Sequence, residues 1–252
     1  MSEPTGGEAK LDRLQGGEAP ARANPEPTSR WEDFIDIFYA PSSVFARREA
    51  SSFFLPMLVV TIAAGALFLL NSGVWSQVMD AEMTRALARQ SQTLTADQLE
   101  KARAVSATFG KIGAFVFVPI GIFFTGLALW LVGKLFEAKE TFGQALMVAS
   151  FASVPRVLEG LATSVQGLLL DPSTFTGRWK ISLGLGRFLD PDTASPLLLA
   201  LLGRVDVFTI WVTVLLAIGL SVVGRIPRSR AAMAGALVWL LGAVPLLLQA
   251  RR

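Results

Sequence analysis

Residues 145–170 read Ala145-Leu-Met-Val-Ala-Ser-Phe-Ala-Ser-Val-Pro155-Arg156-Val-Leu-Glu159-Gly-Leu-Ala-Thr-Ser-Val-Gln-Gly-Leu-Leu-Leu170. A helical run of about 20 apolar residues crosses a ~30 Å hydrocarbon core, and this one is long enough. Yet Pro155, Arg156 and Glu159 stand at its midpoint. Placing either charge at the bilayer centre costs about 2.5–3.5 kcal/mol on an insertion scale, before any pairing. Their i, i+3 spacing sets both on one helical face, where they can neutralise each other. Pro155 removes the donor that would serve the carbonyl near Phe151 and favours a kink there. Thr163, Ser164 and Gln166 carry polarity into the second half. Such a helix cannot face lipid all round. It is expected to be interior to a bundle, or broken.

The polar midpoint admits two readings. One is a polar cavity, substrate path or partner-binding seam around Pro155, Arg156 and Glu159. The other is a structural ion pair that fixes helix register. A re-entrant run that turns back without crossing is a further geometry, and it would bring the C-terminus inside.

Outward from this run lie four more apolar stretches, Phe53–Leu70, Ile112–Val132, Val205–Val223 and Ala231–Leu248. A spanning segment must satisfy its backbone internally, so all of them read as helices. The fold class is therefore an all-α polytopic membrane protein with five transmembrane helices, at about 53–70, 112–132, 145–170, 205–223 and 231–248. A hydrophobic fraction of 52% agrees, as does a mean hydropathy of +0.50.

Residues 1–30 mix Gly, Pro, Glu, Ala, Ser and Arg with few large apolar side chains. They are expected to form a disordered cytoplasmic tail, without the apolar core of a signal peptide. Residues 31–252 then form the membrane domain, a pre-membrane segment over 31–52 followed by the bundle over 53–252. In the pre-membrane segment Trp31, Phe34, Ile35 and Phe38 fall at helical spacing, with Glu32, Asp33 and Asp36 turned elsewhere, before Pro41 interrupts. It reads either as a helix lying in the membrane interface or as one packed under the bundle. Its acidic face speaks against a polybasic lipid-binding device.

The first loop, 71–111, is too long for a turn. Thr95-Ala-Asp-Gln98 has the form of a capping box and starts a helix running into the second span. Met79, Met83 and Leu87, four apart, mark another helix upstream. A helical extracytoplasmic hairpin is expected. The third loop, 171–204, is rich in Pro and Gly turns, and Leu197–Leu202 is too short to span alone.

Orientation rests on Arg225, Arg228 and Arg230, crowded into the short turn over 224–230 without an acid. Together with Arg47 and Arg48 they place the N-terminus in the cytoplasm and the C-terminus outside. The long outer loops hold more Lys and Arg in total, but long loops translocate largely regardless of charge.

Two further groups are candidates. Asp206, at the head of the fourth span, reads as an N-terminal helix charge or as a partner for Arg156 inside the bundle. Ala231 with Gly235 and Ala232 with Ala236 are small-xxx-small pairs that permit close helix approach, within the bundle or between copies.

The chain has no cysteine and no histidine. That excludes disulfides, thiolate and imidazole metal sites, Cys nucleophiles and His-based triads. No cofactor or catalytic residue is expected. The net charge of +3 is spread along the chain, which speaks against nucleic-acid binding. Expected partners are the lipid bilayer itself and a membrane-protein partner or a second copy.

Three stretches carry a resemblance. Phe34-Ile-Asp-Ile-Phe-Tyr-Ala-Pro41-Ser-Ser-Val-Phe45 resembles the pre-membrane aromatic–proline segment of the Yip1 family. Phe151-Ala-Ser-Val-Pro155-Arg-Val-Leu resembles its interrupted third span. Arg204-Val-Asp206-Val-Phe208-Thr-Ile-Trp211 and the run to Ser221 resemble its fourth. The resemblance covers roughly residues 31–250 and lies with the family's bacterial branch. It implies a five-helix bundle with a cytoplasmic N-terminus in the bacterial inner membrane, without a settled activity. Eukaryotic relatives act in vesicle trafficking with Rab-type GTPases, but their Asp-Leu-Tyr-Gly-Pro and Gly-Tyr signatures are absent here. The expected function is a non-enzymatic membrane protein that organises or recruits partners in the bilayer. The alternative is a small transporter or channel using the polar third span.

Overall fold

A computed structural model describes residues 29–89, 95–171 and 177–244. Most of the expected N-terminal tail and the last residues of the fifth expected span, 245–248, lie outside the described residues. Every regular element among the described residues is helical. In chain order they are α1 (Asp33–Tyr39), α2 (Pro41–Arg47), α3 (Phe54–Leu70), α4 (Ser72–Arg89), α5 (Ala96–Leu135), α6 (Phe142–Ala152) and α7 (Pro155–Leu169). After these come α8 (Arg178–Ile181), a 3-10 turn (Leu185–Phe188), α9 (Pro196–Leu202), α10 (Val207–Val223) and α11 (Arg228–Leu241).

The expected spans fall on α3, α5, α6–α7, α10 and α11. Among the described residues two stretches are long and apolar enough to cross a membrane alone, α5 with 40 residues and the α6–α7 run with 28. At 1.5 Å per residue these measure about 60 and about 42 Å. The pairs α3–α4 and α9–α10 reach that measure only together, and they are bent by 76° and 60°. The outer surface fits a bilayer: Phe117 and Phe124 on α5 are 69% and 60% exposed, one helical heptad apart. A contiguous apolar belt of this kind is unfavourable in water and favourable against lipid tails. The molecule is an all-α polytopic membrane protein.

The α6 helix is the hub. It packs against α5, α10, α3 and α1, while α7 continues along α3 and α10, and α11 closes on α10 and α5. Small residues set the closest approaches. A Cβ on Gly126 of α5 would lie 2.6 Å from the Leu146 side chain, and one on Gly219 of α10 would lie 2.3 Å from that of Val148. Both glycines therefore let a neighbouring helix come nearer than any larger residue would allow.

The N-terminal pair α1–α2 lies along the flank of the bundle, neither flat across its end nor beneath it. Glu49, just past α2, meets Arg225 below the C-terminal end of α10 (3.2 Å). Phe38 meets Trp211 edge-on, with ring centroids 5.1 Å apart. Trp211 and Arg225 are separated by about 21 Å of helical rise. The inner face of the pair (Phe34, Ile37, Phe38, Val44, Phe45) joins the main core. Trp31, Ile35 and Tyr39, at i, i+4 and i+8, remain exposed.

The end of the bundle that carries Glu49, the loop over 136–141 and the turn over 224–227 is tied together by polar contacts; we call it the knotted end. Lys139 N donates to Gly224 O (3.0 Å) and Arg230 pairs with Glu137 (2.9 Å). Glu137 and Arg225 hold φ of 62° and 55°. These left-handed conformations are strained for residues with a Cβ, and each residue carries one of the ion pairs just named.

The opposite, hairpin end is built from α4 and the first turns of α5. The capping box read from sequence is present: Gln98 N donates to Thr95 Oγ1 (3.3 Å) and Thr95 N donates to Gln98 Oε1 (3.0 Å). Arg103 of α5 reaches Asp80 of α4 at 2.9 Å. Among the described residues only Val78 and Ile181 are fully buried in the small apolar cluster here.

Candidate functional site

The interrupted run folds as two helices meeting at Ser153 and Val154. Thr141 caps α6 through a capping box with Gln144, the same device that starts α5. Near Ala152 the ladder fails because Pro155 has no N–H to offer Phe151 O. Val154 N donates to that carbonyl instead (3.1 Å), closing a tighter turn, and Ser153 Oγ donates to Ala149 O (2.7 Å). Pro155 then occupies the first turn of α7, where its missing donor and fixed φ cost nothing.

Past the break, α7 meets the elbow between α3 and α4. A cavity of about 340 Å³ opens there, lined among others by Asn71, Trp75, Arg156, Glu159, Thr163 and Arg178. Arg156 Nη1 donates to Glu159 Oε2 at 2.7 Å, as the i, i+3 spacing required. Their side chains are 40% and 25% exposed, so the pair borders the cavity and is not enclosed. An exposed pair of this kind contributes about 0–1 kcal/mol to stability. It is a weak staple for helix register and an accessible polar surface.

The rest of the wall is held by local hydrogen bonds. Asn71 Nδ2 donates to Leu67 O and to Ser164 Oγ (both 2.7 Å), which ties the end of α3 to α7. Gln166 Nε2 donates to Lys180 O (3.2 Å) and its Oε1 accepts from Arg187 (3.0 Å), drawing the third loop back over α7. The Arg178 guanidinium lies over the Trp179 ring at 4.8 Å. None of the salt bridges among the described residues uses it.

Toward the knotted end the cavity stops. All of Ala145 to Ala152 is buried. Leu146 fills the space over Gly126, Val148 that over Gly219, and Phe151 packs on Phe34 with centroids 5.6 Å apart. The polar space reaching Arg156 is therefore a blind vestibule.

Asp206 caps α10. Its Oδ1 accepts from Thr209 N (2.8 Å) and its Oδ2 from Thr209 Oγ1 (2.5 Å), so its hydrogen bonds stay in its own helix and do not reach Arg156. Neighbouring Arg204 donates to Trp239 O (2.8 Å) and Gly242 O (3.0 Å) at the C-terminal end of α11, where a cation suits the helix dipole. Of the small-residue pairs, Ala231 and Gly235 are buried, and a Cβ on Gly235 would lie 3.1 Å from Ala217 Cβ and Thr213 O of α10. Ala232 and Ala236 are on the exposed face of α11.

Two sites went unread in the sequence. Asp33 is fully buried rather than turned outward, and it accepts from both Arg47 Nη2 (2.7 Å) and Arg48 Nε. Asp36 takes a second bond from Arg47 (2.7 Å). The two acids raise the Arg47 pKa further, so it stays charged throughout. Glu140 is 1% exposed, and neither carboxylate oxygen has a hydrogen-bond partner among the described residues. Lys134 Nζ stands 3.7 Å away and donates to the backbone oxygen of Glu140 instead (2.7 Å). Burial pushes the Glu140 carboxyl above its ordinary range, and Lys134 only partly opposes that. The Asp33 clasp could have been suspected from acids one turn apart facing a Pro41 break and two arginines. Nothing local marks Glu140 as buried. Among the described residues no group of acidic side chains is arranged to hold a metal ion.

Comparison with known proteins agrees with this architecture. Residues 35–249 match the model of the Yip1 domain. The chain is 26% identical over 195 residues to membrane protein YknW of Bacillus subtilis (strain 168), covering 76% of this chain and 78% of that one. No solved structure matches it. With the domain model spanning most of its length, the chain belongs to the Yip1 family.

Proposed function

We propose that this protein is a non-enzymatic organiser of the bilayer that recruits a membrane-protein partner through the blind vestibule around Arg156 and Glu159. The carrying observation is the contrast within one interrupted run: α7 borders an open polar space, while α6 is solid. A receptacle needs an opening on one side only, and a conducting path needs two. The orientation read from the arginine-rich turn places the knotted end in the cytoplasm of a bacterial cell and the vestibule at the outer face of the inner membrane.

The second reading, a small transporter or channel, is favoured by the vestibule's reach to two charges at membrane depth. It requires α6 to unpack from Gly126 and Gly219 in each cycle, at the cost of its buried surface.

Replacing Arg156 and Glu159 together by Ala separates the readings, because removal of both leaves no orphan charge. The expected result is a folded protein that catalyses no solute flux in proteoliposomes with or without the change. A photo-crosslinker at Thr163 captures a membrane protein in cells, and the double variant reduces that capture. Flux that depends on the pair would establish the transporter instead.

A further inference from the structure

A second cavity, of about 520 Å³, adjoins the vestibule at the hairpin end. Its walls are α4 and the outer turns of α5, including Met79, Met83, Ala104 and Ala107. Phe68 and Trp75 line both spaces and stack on each other, with centroids 5.7 Å apart and planes at 26°. They form a shared aromatic wall.

The two spaces differ in chemistry. The vestibule carries two arginines against one acid; among the described residues the Arg178 guanidinium makes no salt bridge, while its backbone N–H donates to Glu82 Oε1 (3.0 Å). The second space is chiefly apolar in wall, with flexible methionines that adapt to an irregular occupant. It also lies beyond the apolar part of α5, running from Gly110 at the level of Phe68 out to Glu100. Apolar surface held open there faces water unless an apolar group fills it. On the membrane side Phe68 ends the cavity, and the other faces of the same helix carry exposed apolar side chains, Phe109, Ile112 and Phe117. A single occupant meeting both demands is an amphiphile with an anionic head and a long apolar tail, and the bilayer alongside is its source.

We propose that the hairpin end binds one anionic phospholipid, its phosphate between Arg156 and Arg178 and an acyl chain lifted past Phe68 and Trp75 into the α4–α5 cavity. Guanidinium groups suit the head because they meet phosphate in forked, charge-assisted geometry. The inference deepens the receptacle reading by naming a ligand for the vestibule, and it rests on the vestibule being open to the outer leaflet.

The test uses the full chain in phosphatidylcholine nanodiscs doped with phosphatidylglycerol that carries a photoreactive group at its acyl end. After irradiation, label is expected on peptides containing Met79, Met83 and Ala107, beside ordinary bilayer labelling around Phe117 and Phe124. Ala107 is exposed to the cavity, so Ala107→Trp folds and fills it. Hairpin labelling should then fall about tenfold, with labelling around Phe124 unchanged as the control for folding. Arg178→Gln should lower hairpin labelling about tenfold as well, the scale of one lost charge-assisted contact. Label confined to the α5 belt overturns the proposal, as does equal hairpin labelling by a phosphatidylcholine probe. Thr163 crosslinking reads the partner independently. Lost lipid labelling with retained partner capture removes this inference alone, and the reverse removes the partner reading alone.

Discussion

The knotted end and the hairpin end are made from the same helices, yet they differ in how charge and space are handled. At the knotted end, ions are paired or enclosed: Asp33 is clasped by two arginines beside a cavity of about 340 Å³, Glu140 is enclosed, and strained Glu137 and Arg225 are held by Arg230 and Glu49. At the hairpin end, ions border open space: Arg156, Glu159 and Arg178 line a cavity, and few apolar side chains are fully buried. In the proposed function the hairpin end, with its polar vestibule and the larger apolar cavity beside it, is the end that receives a partner.

If the contrast holds, breaking a packed or paired contact at the knotted end costs stability and substitutions at the hairpin end do not. The largest effect is expected from Asp33→Ala, which strands the Arg48 guanidinium, only 18% exposed, and leaves Arg47 with Asp36 as its one acidic partner. A loss of about 3 kcal/mol is expected, the low end for breaking a buried pair, seen as a lower unfolding midpoint in detergent. A midpoint within a degree of the parent would remove the clasp from the account. Gly219→Leu should follow, at about 2 kcal/mol, because the new side chain overlaps Val148 and Phe45.

Glu140 sharpens the comparison through pH. Its folded-state pKa is raised above the unfolded value, so the folded protein binds this proton more tightly. The group's stabilising contribution is full below the unfolded pKa and is lost as pH rises through the folded one. Glu140→Gln should therefore flatten the decline in midpoint above the ordinary carboxylate range and raise the midpoint at neutral pH. An unchanged pH profile would show that Glu140 titrates normally. The smallest effect belongs to the hairpin end. A Cβ on exposed Gly73 of α4 meets nothing within 4 Å, so Gly73→Ala should stabilise by about 0.5 kcal/mol.

Much of the scaffold was legible because its signals are local. The apolar runs, the Thr95–Gln98 cap, the Pro155 break and the Arg156–Glu159 pair each depend on residues within a turn or two of one another. The flank position of α1–α2 was not legible, since Phe38 meets Trp211 across most of the chain's length and neither sequence segment announces the other. Asp33 was misread for a related reason: an acid on an amphipathic helix is ordinarily solvated, and only Arg47 and Arg48 folding back make its burial affordable. The vestibule was anticipated in its residues but not in its shape. Its far wall comes from Asn71, Trp75 and Arg178, in loops and helices whose approach to α7 is set by tertiary packing alone.

The central claim, a polar space that reaches Arg156 from one side and ends against a solid α6, has a direct test because the chain contains no cysteine. Thr163→Cys and Ser150→Cys are made singly and exposed to a membrane-impermeant maleimide from each face of sealed vesicles. Thr163→Cys should be modified from one face only, and Ser150→Cys from neither. Modification of Ser150→Cys, or of Thr163→Cys from both faces, would show a continuous aqueous path and contradict the account.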